Sequence, residues 1–403
     1  DKDGQVLPDD APADAIAESW MSIQMTHDFA EGSGDTLGAR LAKVLLDVRL
    51  AVRDWRAMRS RAEEIADELV ARPPLGLHAE EVDEGVALLR WLADENLTFL
   101  GYREYDLRSL DGEDVLVPID GTGLGILSPD AAADITQTGV SGSFAALPPA
   151  SRAIARRPEL LVLSKANSRS TVHRPVYLDY IGVKTFDASG AVVGERRFLG
   201  LYSSSTYTQS VLDIPILRTK VRQVEADLDF VAGSHNAKNL LQFLQTYPRD
   251  ELFQTHVDQL AQVARSVLQL QGRRRTKLYL RPDDYGRFMS CLVYLPRDRY
   301  TTAVRRRIEA ILVEALNGTS VDYTALVSES ILARLHYVIR VPRGRGLPTL
   351  DEAALETAVA AATRSWEDGF SAALVERVGD SAAVPLLQTY GHAFPEAYKA
   401  DDG

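Results

Sequence analysis

Apolar residues recur at three- and four-residue steps from Thr36 to Ala71: Leu37, Leu41, Val44, Leu45, Val48, Val52, Trp55 and Met58. That spacing is the stripe of an amphipathic helix, with Asp35 and Thr36 as starts and Pro73-Pro74 as the stop. A second helix, Ala79 to Asp94, turns Val82, Val86, Leu89 and Leu92 inward, so residues 31–95 predict a helical hairpin. Trp and Met at helical spacing read as core, not as a cofactor box. At Asn96 the period falls to two. Leu97 to Leu107 alternates as a strand, and Gly112 turns it toward a short strand at Val115 to Ile119. Residues 130–157, rich in Ala, Gly and Pro, predict short helical turns crossing a sheet.

The stretch from Leu161 to Ser204 organises this part of the chain. On either side of Asp187-Ala-Ser-Gly190, two runs of β-branched, aromatic and charged residues alternate as a long antiparallel hairpin, preceded by a strand from Glu159 to Leu163. Strands first, a helical crossing, then a terminal hairpin: residues 96–212 suit a PAS-like sensor domain or another small α+β sheet. Residues 213–272 then return to helical spacing. Leu217, Val221, Val224 and Leu228 mark one face, Ser234 caps Asn236 to Gln245, and Asp250 caps a helix with a stripe from Leu252 to Val267 that ends at Gly272. This is a helical connector, read either as a transmitter of strain or as a spacer that buries its own stripe.

Residues 273–380 predict strands at Lys277 to Arg281 and Phe288 to Leu295, and a helix from Thr301 to Leu316 ended by Gly318. Strands at Val321 to Ser328 and Ile331 to Val341 follow, with a last helix from Leu350 to about Arg377. The order ββαββα builds a four-stranded antiparallel sheet with two helices on one face, ferredoxin-like with its edge strand moved to the start, as in ACT-type amino-acid-binding domains. The expected fold class is therefore α+β: a PAS-like antiparallel sheet domain and an ACT-like domain joined by helical segments. Residues 1–30, loose and acidic before ESWMSIQMTH and not opening on Met, read as the remnant or edge strand of a preceding domain, and 381–403 as a linker toward an absent catalytic region.

Composition narrows the function classes. A chain of 403 residues exceeds a single core, and 45% hydrophobic with 25% charged residues is ordinary for a soluble protein. A net charge of -12 argues against nucleic acid or an anionic membrane as partner. Neither a long apolar run nor a charged-then-apolar leader is present, which predicts no membrane span or signal peptide. The one cysteine, Cys291 in FMSCLVYL, allows no intrachain disulfide; it fits a reducing cytoplasm and reads as a packing thiol. Basic residues from Arg273 to Arg307 are answered nearby only by Asp283, Asp284 and Asp298, which predicts docking to acidic faces of the same chain. Stacking aromatics and a recognition helix, which nucleic-acid binding would want, are missing.

Catalytic patterns are missing as well. The seven histidines are scattered, without an H-x-x-x-H pair or a Cys/His cluster, so no metal site is expected. Gly121-Thr-Gly-Leu-Gly125 departs from the dinucleotide fingerprint, because its third glycine comes one position early and Pro129 soon follows; it reads as an ordinary turn. Glu195, Arg196 and Arg197 near His173 read as a cross-strand salt-bridge ladder and not as an acid/base set. No catalytic, cofactor-binding or metal-binding residue is expected.

The strings ENLTFLGYREYDL, SKANSRSTVHRPVYLDYIGVK, GERRFLGLYSSSTY, LLQFLQTYPRDELF and KLYLRPDDYGRFMSCLVYLPRDRY resemble, in this order, the non-catalytic N-terminal part of the large bacterial NAD-specific glutamate dehydrogenases. The resemblance runs from about Ser19 to the end. It implies a large oligomeric enzyme that oxidatively deaminates glutamate to 2-oxoglutarate, with ACT-type and PAS-type domains ahead of the catalytic region. NAD and the activity belong to that parent, because its catalytic lysine motif and dinucleotide fold do not occur in this sequence. The expected role is regulation and assembly, with a small effector such as an amino acid, the catalytic region of the same parent chain and further copies as partners. Candidate effector-binding residues are Arg287, Arg297 and Arg299 on the ACT-like unit, or Arg169, His173 and Arg196 on the PAS-like one, since a guanidinium fork matches a carboxylate. The rivals are an oligomerisation scaffold without an effector site, built by sheet-edge pairing, and a stand-alone enzyme.

Overall fold

The structure, a computed structural model, describes residues 22, 33–110, 113–131, 156–231, 233–270, 275–328, 330–342, 346–364 and 366–390. The edge strand expected within 1–30, apart from Ser22, lies outside these residues. So do the helical turns expected within 132–155 and the tail after Tyr390. The chain divides into two units, Asp1–Leu45 and Leu46–Gly403. Described residues of the first are Ser22 and the opening turns of helix α1 (Ser33–Ala71); all other described residues belong to the second.

Helix α1 has the predicted period, but its buried face keeps only Met58 of the expected stripe. Val52 and Trp55 are 64% and 41% exposed, whereas Ala51, Met58, Ala62, Ile65, Ala66 and Leu69 are buried. Steps of three and four average 3.5 residues, and a straight helix of 3.6 drifts away from such a stripe by about 20° per heptad. The alanine-rich face, where small side chains allow close approach, wins the contact. Helix α2 (Ala79–Trp91) joins the same core through Val82, Val86 and Leu89. A tight turn, Leu92–Asn96, then switches the chain from helix to strand. The Asn96 side-chain amide donates to Trp91 O and Asp94 O, satisfying carbonyls at the helix end.

The first sheet comprises β1 (Leu97–Leu110), β2 (Glu113–Pro118), β3 (Leu124–Gly125), β4 (Leu161–Arg169), β5 (Tyr177–Phe186) and β6 (Val192–Tyr202). The order is β2-β1-β6-β5-β4, antiparallel throughout, with the short β3 beside β1. The expected hairpin turn is held by Asp187, whose Oδ1 accepts from the N–H groups of Ser189 and Ala191. Phe99, Tyr102, Phe198 and Tyr202 pack in one hydrophobic cluster with α1 and α2. The glycine loop is a turn, as predicted: Gly125 sits at φ 59, and its N–H donates to Asp54 Oδ2 at 2.8 Å. A carboxylate of the chain itself thus takes the amide that an anion would use.

Helices α3 (Ser204–Thr208), α4 (Leu217–Leu228), α5 (His235–Thr246), α6 (Arg249–Gln254) and α7 (Val257–Leu270) follow. The α4 stripe is buried as its spacing predicts, and Ser234 Oγ accepts from Ala237 N at 3.2 Å. The helix expected from Asp250 breaks in two at Thr255, because Lys220 Nζ takes the carbonyls of Leu252, Phe253 and Thr255 at 3.0, 2.6 and 2.8 Å. Those carbonyls are the ones a helix end leaves unpaired. The stripes of α4 to α7 share one cluster with Met58, Leu89 and Phe198 on one side and Leu292, Tyr294 and Leu332 on the other.

The second sheet has the predicted ββαββα order: β7 (Lys277–Pro282), β8 (Phe288–Pro296), helix α8 (Thr302–Leu316), β9 (Ser320–Leu326), β10 (Leu332–Arg340) and helix α9 (Glu352–Ala362). Its strand order is β7-β8-β10-β9. Every residue of β8 is buried, as a central strand covered on both faces requires. On one face Met289, Cys291, Val293, Leu335, Tyr337 and Ile339 pack with α8 and α9. Cys291 is a buried free thiol, and burial pushes its ionisation up. The single last helix expected to about Arg377 is instead divided into α9 and α10 (Trp366–Val378), and a further helix, α11 (Asp380–Tyr390), follows. Gly379 at φ 79 makes the second break, so residues 381–390 are helical where a linker was expected. The chain is thus α+β, built on two antiparallel sheets. Among the described residues no helix is long and apolar enough to cross a membrane, and no group of His, Cys, Asp or Glu is arranged to hold a metal ion.

Candidate functional site

The β4 edge of the first sheet meets the second through a cluster of arginines. Arg287, on the turn between β7 and β8, donates from Nε to Asp283 Oδ2 at 2.7 Å and from Nη2 to Asp283 Oδ1 at 2.9 Å. Its Nη2 also reaches Ser164 Oγ on β4 at 2.6 Å. Burial opposes the charge of Arg287, but the Asp283 carboxylate outweighs it and raises the guanidinium above its ordinary value. Arg340 of β10 lies 3.5 Å from the Tyr177 ring centroid and donates to Ala166 O at 2.9 Å and Asn167 Oδ1 at 3.1 Å. Arg169 covers the same ring at 4.6 Å and pairs with Asp322 of β9. Two of the expected effector residues, Arg287 and Arg169, therefore meet in this junction, where each holds one sheet to the other.

The remaining candidates lie elsewhere. Arg196 donates to Glu68 Oε2 of α1 at 2.6 Å. Glu195 pairs with Arg197, two residues along the same strand, accepts from Tyr180 Oη and stands opposite Lys184 of β5, while His173 lies apart from this group. Strand alternation explains this: positions 195 and 197 share a face, and 196 points to the other. His173 is exposed at φ 70 in the β4–β5 connection. Arg297 and Arg299 flank a short turn ahead of α8. Arg297 Nη1 donates to Ser328 O at 3.0 Å, Arg299 Nη2 lies 2.9 Å from Asp368 Oδ2, and Thr301 Oγ1 caps α8 by accepting from Val304 N at 3.1 Å. The basic stretch is met by acidic residues of the same chain, as predicted, with Lys277 on Glu356, Arg281 on Glu251 and Arg305 on Glu309.

One constellation had no sequence signal beyond polar residues at alternate strand positions. Arg281 of β7 clamps Glu251 of α6 with two bonds of 2.7 and 2.8 Å, and His336 Nε2 lies 3.7 Å from the same carboxylate and 3.0 Å from Ser290 Oγ. Burial would raise the Glu251 carboxyl, but Arg281 and then His336 outweigh it and hold it well below the usual range. Beside this pair a cleft of about 460 Å³ runs along β7, walled by Gln259 and Gln262 of α7 and by Glu352, Ala353 and Glu356 of α9.

Fold and site together define a two-sheet α+β segment with a ferredoxin-like second sheet, and the comparisons say of which kind. Residues 277–367 match the family described as glutamate dehydrogenase, ACT2 domain; residues 214–273 match helical motif 1 and residues 373–401 helical motif 2 of the same enzyme. The chain is 35% identical to the NAD-specific glutamate dehydrogenase of Halomonas elongata over 398 residues, which is 98% of this chain and 24% of that protein. It is 35% identical to the Pseudomonas aeruginosa protein of the same name, over 98% of this chain and 24% of that one. The corresponding Mycobacterium tuberculosis protein is 33% identical over 95% of this chain and 23% of its own length. The chain is a homologue of NAD-specific glutamate dehydrogenases, as the sequence resemblance implied, and spans about a quarter of the length of the curated relatives it matches.

Proposed function

We propose that this chain is a regulatory and assembly segment of a large NAD-dependent glutamate dehydrogenase, acting by binding a small effector such as an amino acid. The parent reaction is oxidation of L-glutamate by NAD to 2-oxoglutarate and ammonium; in this reading NAD and catalysis belong to the rest of the parent. The observation that carries the proposal is the ACT2 match over the second sheet and its helices. The antiparallel first sheet, with its first strand central and its last beside it, supports a PAS-like partner domain. The catalytic region of the same parent chain and further copies are its partners, and the compartment is the cytoplasm.

Among the expected effector residues, Arg297 and Arg299 suit a ligand carboxylate best. They precede the N-terminus of α8, whose first turn carries no acidic residue, so the exposed Arg297, the half-buried Arg299 and the helix dipole act together. Thermal unfolding of the chain against a panel of amino acids, 2-oxoglutarate and nucleotides tests this. A specific amino acid at 100 times its Kd stabilises the fold by about 2.7 kcal/mol, and Arg297→Ala removes the shift. The scaffold reading is favoured by β9, which among the described residues pairs only with β10 and leaves Tyr323 48% exposed. No shift with any compound, together with a defined oligomer, would select it.

A further inference from the structure

Strand β7 pairs with β8 alone among the described residues, and five consecutive residues of it, Lys277 to Arg281, line the 460 Å³ cleft. Neighbouring residues of a strand point to opposite faces, so a cavity touching all five runs along the backbone edge and not beneath one face. Helix α7 walls it on one side and α9 on the other. Within it, the Leu278 N–H meets Glu356 Oε2 at 3.4 Å, while Glu356 Oε1 takes Lys277 Nζ at 2.8 Å. A side-chain carboxylate therefore stands where the carbonyl of a neighbouring strand would accept.

We propose that the β7 edge is a strand-addition site that takes a single extended segment of a partner polypeptide, with Glu356 as its displaceable cover. The outward amide of Leu278 fixes the parity of the strand, so Leu280 turns its N–H the same way and Pro282, which has none, closes the run. An added strand gains main-chain bonds along this edge, and the walls select its side chains. Those on the α7 side meet Gln259 and Gln262, which want hydrogen-bonding partners; those on the α9 side meet Ala353 and Leu280, which leave room for small apolar groups, and the charges of the lining, Lys277 and Arg281 against Glu352 and Glu356, balance. The occupant is thus an uncharged segment alternating hydroxyl and β-branched apolar residues, which are also strong strand formers. A second copy's β7 does not fit, because it is flanked by the same two helices. These would collide before two edges came within the ~4.8 Å of paired strands.

The test is amide hydrogen exchange on the full chain with the blocked pentapeptide acetyl-Thr-Val-Thr-Val-Thr-amide. At millimolar peptide, exchange at Leu278 and Leu280 slows about tenfold. Glu356→Ala, which removes the cover, tightens the peptide several-fold. Ala353→Trp, an exposed position on the wall, fills the cleft and abolishes binding while the unfolding midpoint holds. The same peptide N-methylated at alternate residues does not bind, which separates strand pairing from general stickiness. Unchanged exchange at both leucines, equal binding by the Ala353→Trp protein, or equal protection by free threonine and valine overturns the proposal. Protection that rises with protein concentration in the absence of peptide overturns it in favour of self-association.

Discussion

Glu251 shows how one residue sets the energetics of its surroundings. It is buried, and its two bonds to Arg281 are the main offset to the desolvation of both charges. Truncation to alanine leaves the guanidinium buried and uncompensated, so Glu251→Ala costs about 3–5 kcal/mol, measurable by urea denaturation at neutral pH. The carboxyl's ionisation in the folded chain lies below its ordinary value of 4.5. The unfolded chain therefore binds the proton more readily, and this stabilisation is present above about pH 4.5 and is lost as the pH falls below it. Glu251→Gln cannot titrate. Its stability falls less than the wild type's between pH 5 and pH 3, and equal slopes would show that the pair is not the acid-sensitive element.

Gly125 carries the corresponding argument for an element. It joins β3 to β1 at φ 59, and a Cβ there would stand 2.2 Å from Leu100 O. Gly125→Ala meets backbone that cannot yield, adds a left-handed penalty, and disturbs the amide that Asp54 accepts from. A loss of about 2–4 kcal/mol in chemical denaturation is expected, with β1 amides losing protection. Nothing local in the string GTGLG distinguishes this use from any other turn, because the constraint comes from Leu100 of β1 and from Asp54 of α1, 71 residues earlier. The same limit recurs along the chain. Strands β1, β5, β6, β8 and β10 and helices α4, α5 and α8 were legible, since alternation, helical spacing and caps such as Ser234 are local signals. The face that α1 buries was legible only in part: Met58 belongs to the expected stripe, but the burial of Ala51, Ala62 and Ala66 depends on what packs against them. The break after α6, made by Lys220 from another helix, was not legible. Of the six expected effector residues the sequence shows the type but not the distant partners: Glu68 on Arg196 and Asp322 on Arg169 are tertiary facts.

At the scale of the molecule, two kinds of contact tie the sheets together. One is apolar and continuous: the cluster that begins with Met58 and Phe198 runs through α4 to α7 and ends on Leu292, Tyr294 and Leu332 of the second sheet. The other is the polar junction of Arg287, Arg340 and Arg169 against β4 and Tyr177. If the apolar bridge dominates, the sheets melt together whatever happens to the junction; if the junction dominates, cutting it uncouples them. Arg340→Leu decides, because it removes the donors to Ala166 O and Asn167 Oδ1 and keeps an apolar side chain against Tyr177. The shared cluster contains side chains from both sheets and six helices, whereas the substitution leaves one buried carbonyl unsatisfied, at a cost of about 1–3 kcal/mol. The expected outcome in scanning calorimetry is a lower midpoint with a single transition, its calorimetric and van't Hoff enthalpies still equal. Two resolved transitions would instead show that the arginine junction alone makes the sheets one cooperative unit, and that a ligand on the second sheet could reach the first only through it.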